Sequence, residues 1–197
     1  MLPAIGFWFL RHGETDWNAR GLSQGAADVA LNANGEAQAR RAAELLRGSG
    51  IASIVASPLA RARLTAEVAA ATLGLPVAYD AELREVAFAG REGQPIGGWF
   101  DDWVAGLATP PGAESFAALV ARAERAVTHA LAAPAPVLIV SHGAFFRALR
   151  RSMGLPADVR TPNAVPIFCE PPSRPAEPWS LRAPEALSVV GAPGISG

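Results

Sequence analysis

The chain has 197 residues, half of them hydrophobic, and a formal net charge of −1. That length and composition predict one domain with a sizeable buried core rather than a disordered chain. The near-neutral charge gives no global pull toward nucleic acid or an anionic membrane, so affinity for a charged ligand must come from a local cluster.

The elements follow in chain order. Residues 5–10 (IGFWFL) form an apolar run that ends at Arg11 with no basic segment before it. This is too short for a membrane span and unlike a signal peptide, and it predicts a buried parallel strand. Asn32 is placed to cap a helix over about 33–47, closed by Gly48 and Gly50, with Ala39, Ala42, Leu45 and Leu46 on one face. Residues 51–56 read as a second buried strand. Ser57-Pro58 then reads as N-cap and first helical residue of a helix that runs to about Thr72 and ends at Gly74. A short third strand is expected at 76–80.

From about 84 to 113 the chain is rich in Gly and Pro and carries Phe88, Trp99, Phe100 and Trp103. It reads as an excursion from the core, with a short helix near 98–106, placed over the active site. A helix at about 114–132, a buried strand at 136–140 and a helix running to Met153 follow. Late strands are expected at 164–169 and 179–182, joined by a Pro-rich loop at 171–178 that can be neither helix nor central strand. The tail after 187 is small and Gly-rich and is expected to fray. The many alanines read as helix filler. Alternation of strand and helix predicts a single α/β domain over 1–197: a three-layer sandwich with a mainly parallel central sheet and helices on both faces. The single cysteine, Cys169, excludes an internal disulfide and a four-cysteine zinc site, and fits a reducing cytoplasm.

Two of the three histidines share a context. His12 in Arg11-His12-Gly13 and His142 in Ser141-His142-Gly143 each follow a buried strand directly. In open α/β sheets, ligands bind beyond the carboxyl ends of the strands, so the two can converge on one pocket. Either alone reads equally well as a structural histidine capping a strand; the shared placement points to function. Arg61 lies in the first turn of its predicted helix, where free N–H groups and the helix dipole favour an anion. Alone it reads as a surface arginine, but with Arg11 it could flank a phosphate, whose oxygens match guanidinium forks. Glu85 sits at the entry to the excursion, where a half-buried carboxyl can serve as general acid. Glu82 and Glu92 compete for that role by composition. His129 lies mid-helix without a companion motif and reads as structural or exposed.

Leu10 through Asn18 (LRHGETDWN) resembles the opening signature of the histidine phosphatase superfamily, the phosphoglycerate mutase-like family. Four further segments resemble it in order and spacing: Gln24-Gly25 with Asp28, Leu31 and Gly35; Ser57 through Ala62 with Thr65-Ala66-Glu67; Leu83-Arg84-Glu85 with Phe88 and Glu92-Gly93; and Val140 through Gly143. Together they span roughly residues 7–150 and form a specific set, where a bare RHG would be weak.

The resemblance implies the phosphoglycerate mutase-like fold and a phosphoryl transfer in which His12 attacks phosphorus. It implies a phosphate pocket of Arg11, Arg61 and His142, with Asn18, Gln24 and Gly25 lining it or touching substrate. Glu85 would protonate the leaving oxygen and then activate the acceptor. It implies no metal and no other cofactor, since two arginines, with His142 if protonated, can offset the charge that Mg²⁺ neutralises elsewhere. The chain departs from the family pattern at Ala89, where Gly is usual and a positive φ could be required, and at Arg91, where Trp is frequent. Ala30, Asn32 and Ala113 are milder departures.

The leading expectation is a cytoplasmic phosphatase acting on a small phosphomonoester, binding neither nucleic acid nor membrane. A phosphoglycerate mutase is the alternative, and a non-catalytic phosphate-binding protein the third reading. A mutase must retain a bisphosphorylated intermediate and exclude water. The excursion offers only Arg84 and Arg91 as cations, which favours hydrolysis. The excursion and the Pro-rich loop could also make a homodimer contact.

Overall fold

The computed structural model describes residues 2–174 and 177–184. In chain order the elements are strand Phe7–Arg11 (β1), one helical turn Asp16–Ala19 (α1), helix Ala33–Leu45 (α2), strand Ser53–Ala56 (β2), helix Ala60–Leu73 (α3) and strand Val77–Tyr79 (β3). Two 3-10 turns, Ala81–Leu83 and Ala89–Arg91, lead to helices Gly98–Ala105 (α4) and Phe116–Ala130 (α5). Strand Val137–Ser141 (β4), helix Gly143–Ser152 (α6) and strands Pro166–Glu170 (β5) and Ser180–Arg182 (β6) complete the fold. The strands and longer helices fall close to the expected places. The short α1 and the 3-10 turns were not anticipated. The tail after 187, expected to fray, lies outside the described residues, as do two residues of the Pro-rich loop.

The six strands form one sheet in the order β3-β2-β4-β1-β5-β6. The first four strands pair in parallel, and β5 and β6 join antiparallel. Side chains alternate across the sheet, as strand geometry requires. Phe7, Phe9, Val55, Val137 and Ile139 pack into one apolar layer with α4, α5 and α6; Leu10, Ile54, Ala56, Leu138 and Val140 pack into the other with α2 and α3. The result is the expected three-layer α/β sandwich. Among the described residues no helix is long and apolar enough to cross a membrane.

The alanines are more than filler. Ala39, Ala42 and Ala43 of α2 and Ala62, Ala66, Ala69 and Ala70 of α3 are buried, so small side chains bring the two helices close to each other and to the sheet. Ala43, not Leu45, completes the buried stripe of α2; Leu45 stays half-buried.

The start of α3 also differs from expectation. Ser57-Pro58 does not open it: the helix begins at Ala60, its N-cap Leu59 offers no side-chain bond, and the Ala60 N–H donates to Asp28 Oδ1 at 2.7 Å. A carboxylate from a distant loop supplies the cap, and Ser57 turns elsewhere.

The loop after β1 seats against the start of α2 at two glycines. A Cβ on Gly35 would lie 2.0 Å from the Glu14 carbonyl oxygen, and one on Gly13 2.4 Å from that of Gly35. Only glycine permits this approach, which fixes the backbone beside His12.

Ala89 takes φ 50°, so the position where glycine is usual does require the left-handed region. A side chain there costs about 1–2 kcal/mol, partly offset because glycine gains freedom in the unfolded chain. Ala89→Gly is therefore expected to stabilise by about 0.5 kcal/mol, read as a higher urea midpoint at unchanged m-value.

Candidate active site

The sheet order explains why two residues far apart in sequence become neighbours. β1 and β4 are adjacent with Arg11 opposite Ser141, and the His12 N–H donates to the Ser141 carbonyl at 3.0 Å. The next residues, His12 and His142, leave the sheet side by side with ring centroids 5.2 Å apart.

His12 is held in one orientation. Its Nδ1 lies 2.7 Å from the Gly13 carbonyl oxygen, which can only accept, so Nδ1 carries the proton and Nε2 keeps the lone pair. Asn163 Nδ2 donates to the His12 carbonyl at 2.9 Å, and the Gly13 N–H donates to Thr65 Oγ1 at 3.1 Å. Burial, then the charges of Arg61 and Arg11, hold the ring's pKa well below its ordinary value despite the Gly13 bond. His12 is thus neutral at neutral pH, with an available lone pair.

The two arginines are buried and fixed by backbone carbonyls. Arg11 Nη1 donates to Thr161 O at 2.6 Å. Arg61 Nη1 and Nη2 donate to Ala27 O and Gly25 O at 2.7 and 2.8 Å. Burial pushes each pKa down to about 10, so both remain cationic at neutral pH. A Cβ on Gly143 would come within 3.2 Å of Arg11 Nε, so glycine at the start of α6 leaves room for that guanidinium.

His142 is fully buried behind His12, with Nε2 2.7 Å from Ser57 Oγ. This contact accounts for Ser57's departure from the helix cap. Burial first, then Arg61, keeps His142 neutral, so the positive charge it would add if protonated is absent from the site as it stands.

Among the described residues, six buried side-chain polar atoms lack a hydrogen-bond partner, and five belong to this site: Arg11 Nε, Arg61 Nε, His142 Nδ1, Gln24 Oε1 and Ser23 Oγ. Buried polar groups are nearly always paired, so such a concentration marks a place built for a ligand.

Glu85 lines the same cavity. Its Oε2 and Oε1 accept the Ala144 and Phe145 N–H groups at 2.9 Å each, which seats the carboxylate on the N-terminus of α6. Asn18 closes a capping box with Thr15 around α1. The resulting cavity of about 310 Å³ is lined by Arg11, His12, Asn18, Gln24, Gly25, Arg61 and Glu85, with Phe88, Ile96, Phe100 and Asp101 contributed by the excursion. Every expected site residue meets here, His142 just behind the surface.

Other expectations are corrected. Glu92 braces the loops by accepting the Ala26 and Phe88 N–H groups, and Glu82 pairs with Arg125 on the surface. Neither lines the cavity. The α3 N-terminus does not offer its first N–H to a ligand, because Asp28 occupies it. Arg91 lies over Trp99, 5.4 Å from its centroid, and neither it nor Arg84 lines the cavity. Arg147 and Arg160 do, so the cations near the pocket come from α6 and the loop after it rather than from the excursion. His129, by contrast, is exposed as expected and bonds Asp80.

Sequence reasoning missed Thr161 and Asn163, which clamp Arg11 and His12, and the pocket arginines. Arg147 carried a readable signal: it lies one turn beyond Gly143 on α6, hence on the same face. The 160–163 loop carried none.

The two neutral histidines set a pH dependence. Their folded pKa values lie below the unfolded one, so below pH ~6.5 the unfolded chain takes up protons that the folded chain refuses. Their stabilising contribution is complete above that pH and declines as pH falls, by up to ~1.4 kcal/mol per unit for each ring. Urea melts at pH 7, 6 and 5 should show this decline, and it should be shallower in a His12→Asn/His142→Asn variant.

Comparison with known proteins places the chain. The family model described as "Histidine phosphatase superfamily (branch 1)" matches residues 7–164. The "Probable phosphoglycerate mutase GpmB" of Salmonella paratyphi B is 36% identical over 162 residues, covering 76% of this chain and 75% of that protein. The mycobacterial glucosyl-3-phosphoglycerate phosphatase Rv2419c, solved with VO3, superposes with a TM-score of 0.78 at 29% identity, covering 90% of this chain and 97% of that one. TTHB049 from Thermus thermophilus gives a TM-score of 0.73 at 30% identity, over 91% and 99% of the two chains.

Proposed function

The chain belongs to branch 1 of the histidine phosphatase superfamily, a family of phosphotransfer enzymes, and from that premise we propose that it is a metal-independent phosphatase acting on a small phosphomonoester. One observation carries the reading: unpartnered polar atoms of Arg11, Arg61 and His142 are gathered around a histidine whose Nε2 lone pair is free. The Arg11 and Arg61 guanidinium groups, which line the cavity, can bind the phosphoryl oxygens and stabilise the charge that spreads over them in the transition state.

The chemistry runs in two displacements. His12 Nε2 attacks phosphorus as the bond to the leaving oxygen breaks, and a protonated Glu85 gives that oxygen its proton. Glu85, now a carboxylate, takes a proton from water; the hydroxide oxygen bonds to phosphorus and the P–N bond breaks, returning neutral His12 and releasing phosphate. Asn18, Gln24 and Gly25 line the cavity, where they can touch the substrate. Thr161 and Asn163 act at one remove, by fixing Arg11 and the His12 backbone.

Arg147 and Arg160 also keep a mutase in view, because cations beyond the phosphate pocket suit a second anionic group. The test is to supply p-nitrophenyl phosphate with EDTA, then 3-phosphoglycerate with and without 2,3-bisphosphoglycerate. The expected result is free phosphate in each case and no 2-phosphoglycerate. Isomerisation dependent on the bisphosphate would make the chain a mutase, and loss of turnover in EDTA would overturn metal independence.

A further inference from the structure

The segment that carries Glu85 is held by side chains on both sides of that residue. At the 3-10 turn Ala81–Leu83, the Leu83 and Arg84 N–H groups bond Asp80 O and Ala81 O, which leaves the next three carbonyls to find partners outside the turn. Each is taken by a side chain. Arg122 of α5 donates through Nη1 to Glu82 O at 2.6 Å and to Arg84 O at 2.8 Å, and Ser141 Oγ at the end of β4 donates to Leu83 O at 2.8 Å. The rest of the Arg122 fork, Nε and Nη2, donates to Glu114 Oε1 and Oε2 at 2.9 and 2.7 Å. Glu114 in turn donates its backbone N–H to Ala87 O at 3.0 Å, beyond Glu85. The two side chains are only 16% and 21% exposed, so the pair is not a screened surface contact.

One arginine thus grips the backbone before the acid, and its carboxylate partner grips it after. A staple joining the two ends of the excursion would need one anchor at each end. Here the carbonyls of three successive residues are fixed immediately before Glu85. The Arg84 carbonyl shares a peptide plane with the Glu85 N–H, so fixing it sets the direction in which the Glu85 side chain leaves the backbone. Arginine suits the place because its planar fork reaches two carbonyls on one side and a carboxylate on the other, which lysine cannot do. The guanidinium also lies 6.0 Å from the Phe145 ring centroid, and the Phe145 N–H is one of the two that seat the Glu85 carboxylate. We propose that Arg122, oriented by Glu114, is a positioning residue for the general acid and acts on the reaction through Glu85. This rests on the phosphatase reading above. Arg122 does not line the cavity, so its effect must pass through the acid it places. An acid displaced by about 1 Å can forfeit up to ~10²-fold in rate.

The test takes kcat/KM, which covers only the first displacement, for phenyl phosphate and p-nitrophenyl phosphate. The two esters are close in shape, but phenolate is the more basic leaving group and needs the proton more. Arg122→Met should lower the phenyl-to-nitrophenyl ratio by about tenfold, part of the roughly 10²- to 10⁴-fold that a general acid contributes. Arg122→Lys keeps a cation for Glu114 but not the fork, and should lower the ratio by about threefold. It decides the matter if Arg122→Met fails to fold. Added to Glu85→Gln, whose acid is already lost, either substitution should leave the ratio unchanged. A ratio taken within one variant cancels general loss of competence. A ratio that stays at the native value in every folded variant would overturn the positioning role and leave the phosphatase reading intact. So would a ratio that falls as far in the Glu85→Gln background as in the native one, because Arg122 would then act by another route. No turnover of either ester by the native chain would overturn the phosphatase reading and the positioning role with it.

Discussion

His12→Ala should abolish the phosphoenzyme and lower kcat by about 10⁴-fold or more. The size of the effect comes from what else in the cavity could replace the ring. His142 is the nearest nitrogen nucleophile, but its Nε2 is engaged with Ser57 and the ring is fully buried behind the cavity wall. Cys169 is buried with its thiol pushed up out of the thiolate range, so it cannot stand in. Water could attack phosphorus held by Arg11 and Arg61, and that direct route sets the residual rate. Rapid acid or alkaline quench with ³²P-labelled substrate separates the cases. The native chain should give protein-bound label that survives alkali and is lost in acid, the behaviour of a phosphoramidate; the variant should give none. Because the ring donates to Gly13 and is buried, His12→Ala also leaves a void, so the variant's phosphate affinity should be measured alongside. Retained phosphate binding with lost labelling assigns the defect to the nucleophile. Label persisting in the variant would move the nucleophile to another residue.

Much of this site is legible in the sequence because short-range features specify it. His12 and His142 stand out as the residues just after apolar strands, and the three-layer fold follows from alternation of strand and helix. The strand order is not legible in the same way. β4 inserts between β1 and β2, and nothing in its own residues says which neighbours it will take. That insertion brings the two histidines together, so their convergence was an inference from strand ends in general. Where sequence reasoning failed, a distant partner had displaced a local rule. Ser57-Pro58 has the form of a helix start, yet Asp28 caps α3 and Ser57 bonds His142. Thr161 and Asn163 reach residues about 150 positions earlier from a loop with no periodicity and no motif. The alanines of α2 and α3 looked featureless because their contribution, close packing against the sheet, depends on what they face.

Glu85→Gln should slow hydrolysis of alkyl phosphates by about 10²- to 10⁴-fold while affecting the first displacement on p-nitrophenyl phosphate far less. An alkoxide is a poor leaving group and needs a proton as the P–O bond breaks; p-nitrophenolate departs without one. The contrast between substrates isolates acid catalysis from every other consequence of the change. Those consequences are real, because the carboxylate also satisfies the Ala144 and Phe145 N–H groups at the start of α6. Gln retains one acceptor oxygen and the side-chain length, so the helix end should lose only about 1 kcal/mol, whereas Ala would leave both donors bare. Arg11 and Arg61 keep their own partners in either variant, so inhibition by inorganic phosphate should change little. The second displacement also uses Glu85, to take a proton from water. With p-nitrophenyl phosphate the variant should therefore release a burst of nitrophenol and then turn over slowly as phosphohistidine accumulates. An equal slowing for both esters with no burst would mean that Glu85 holds α6 in place and that another group handles the protons.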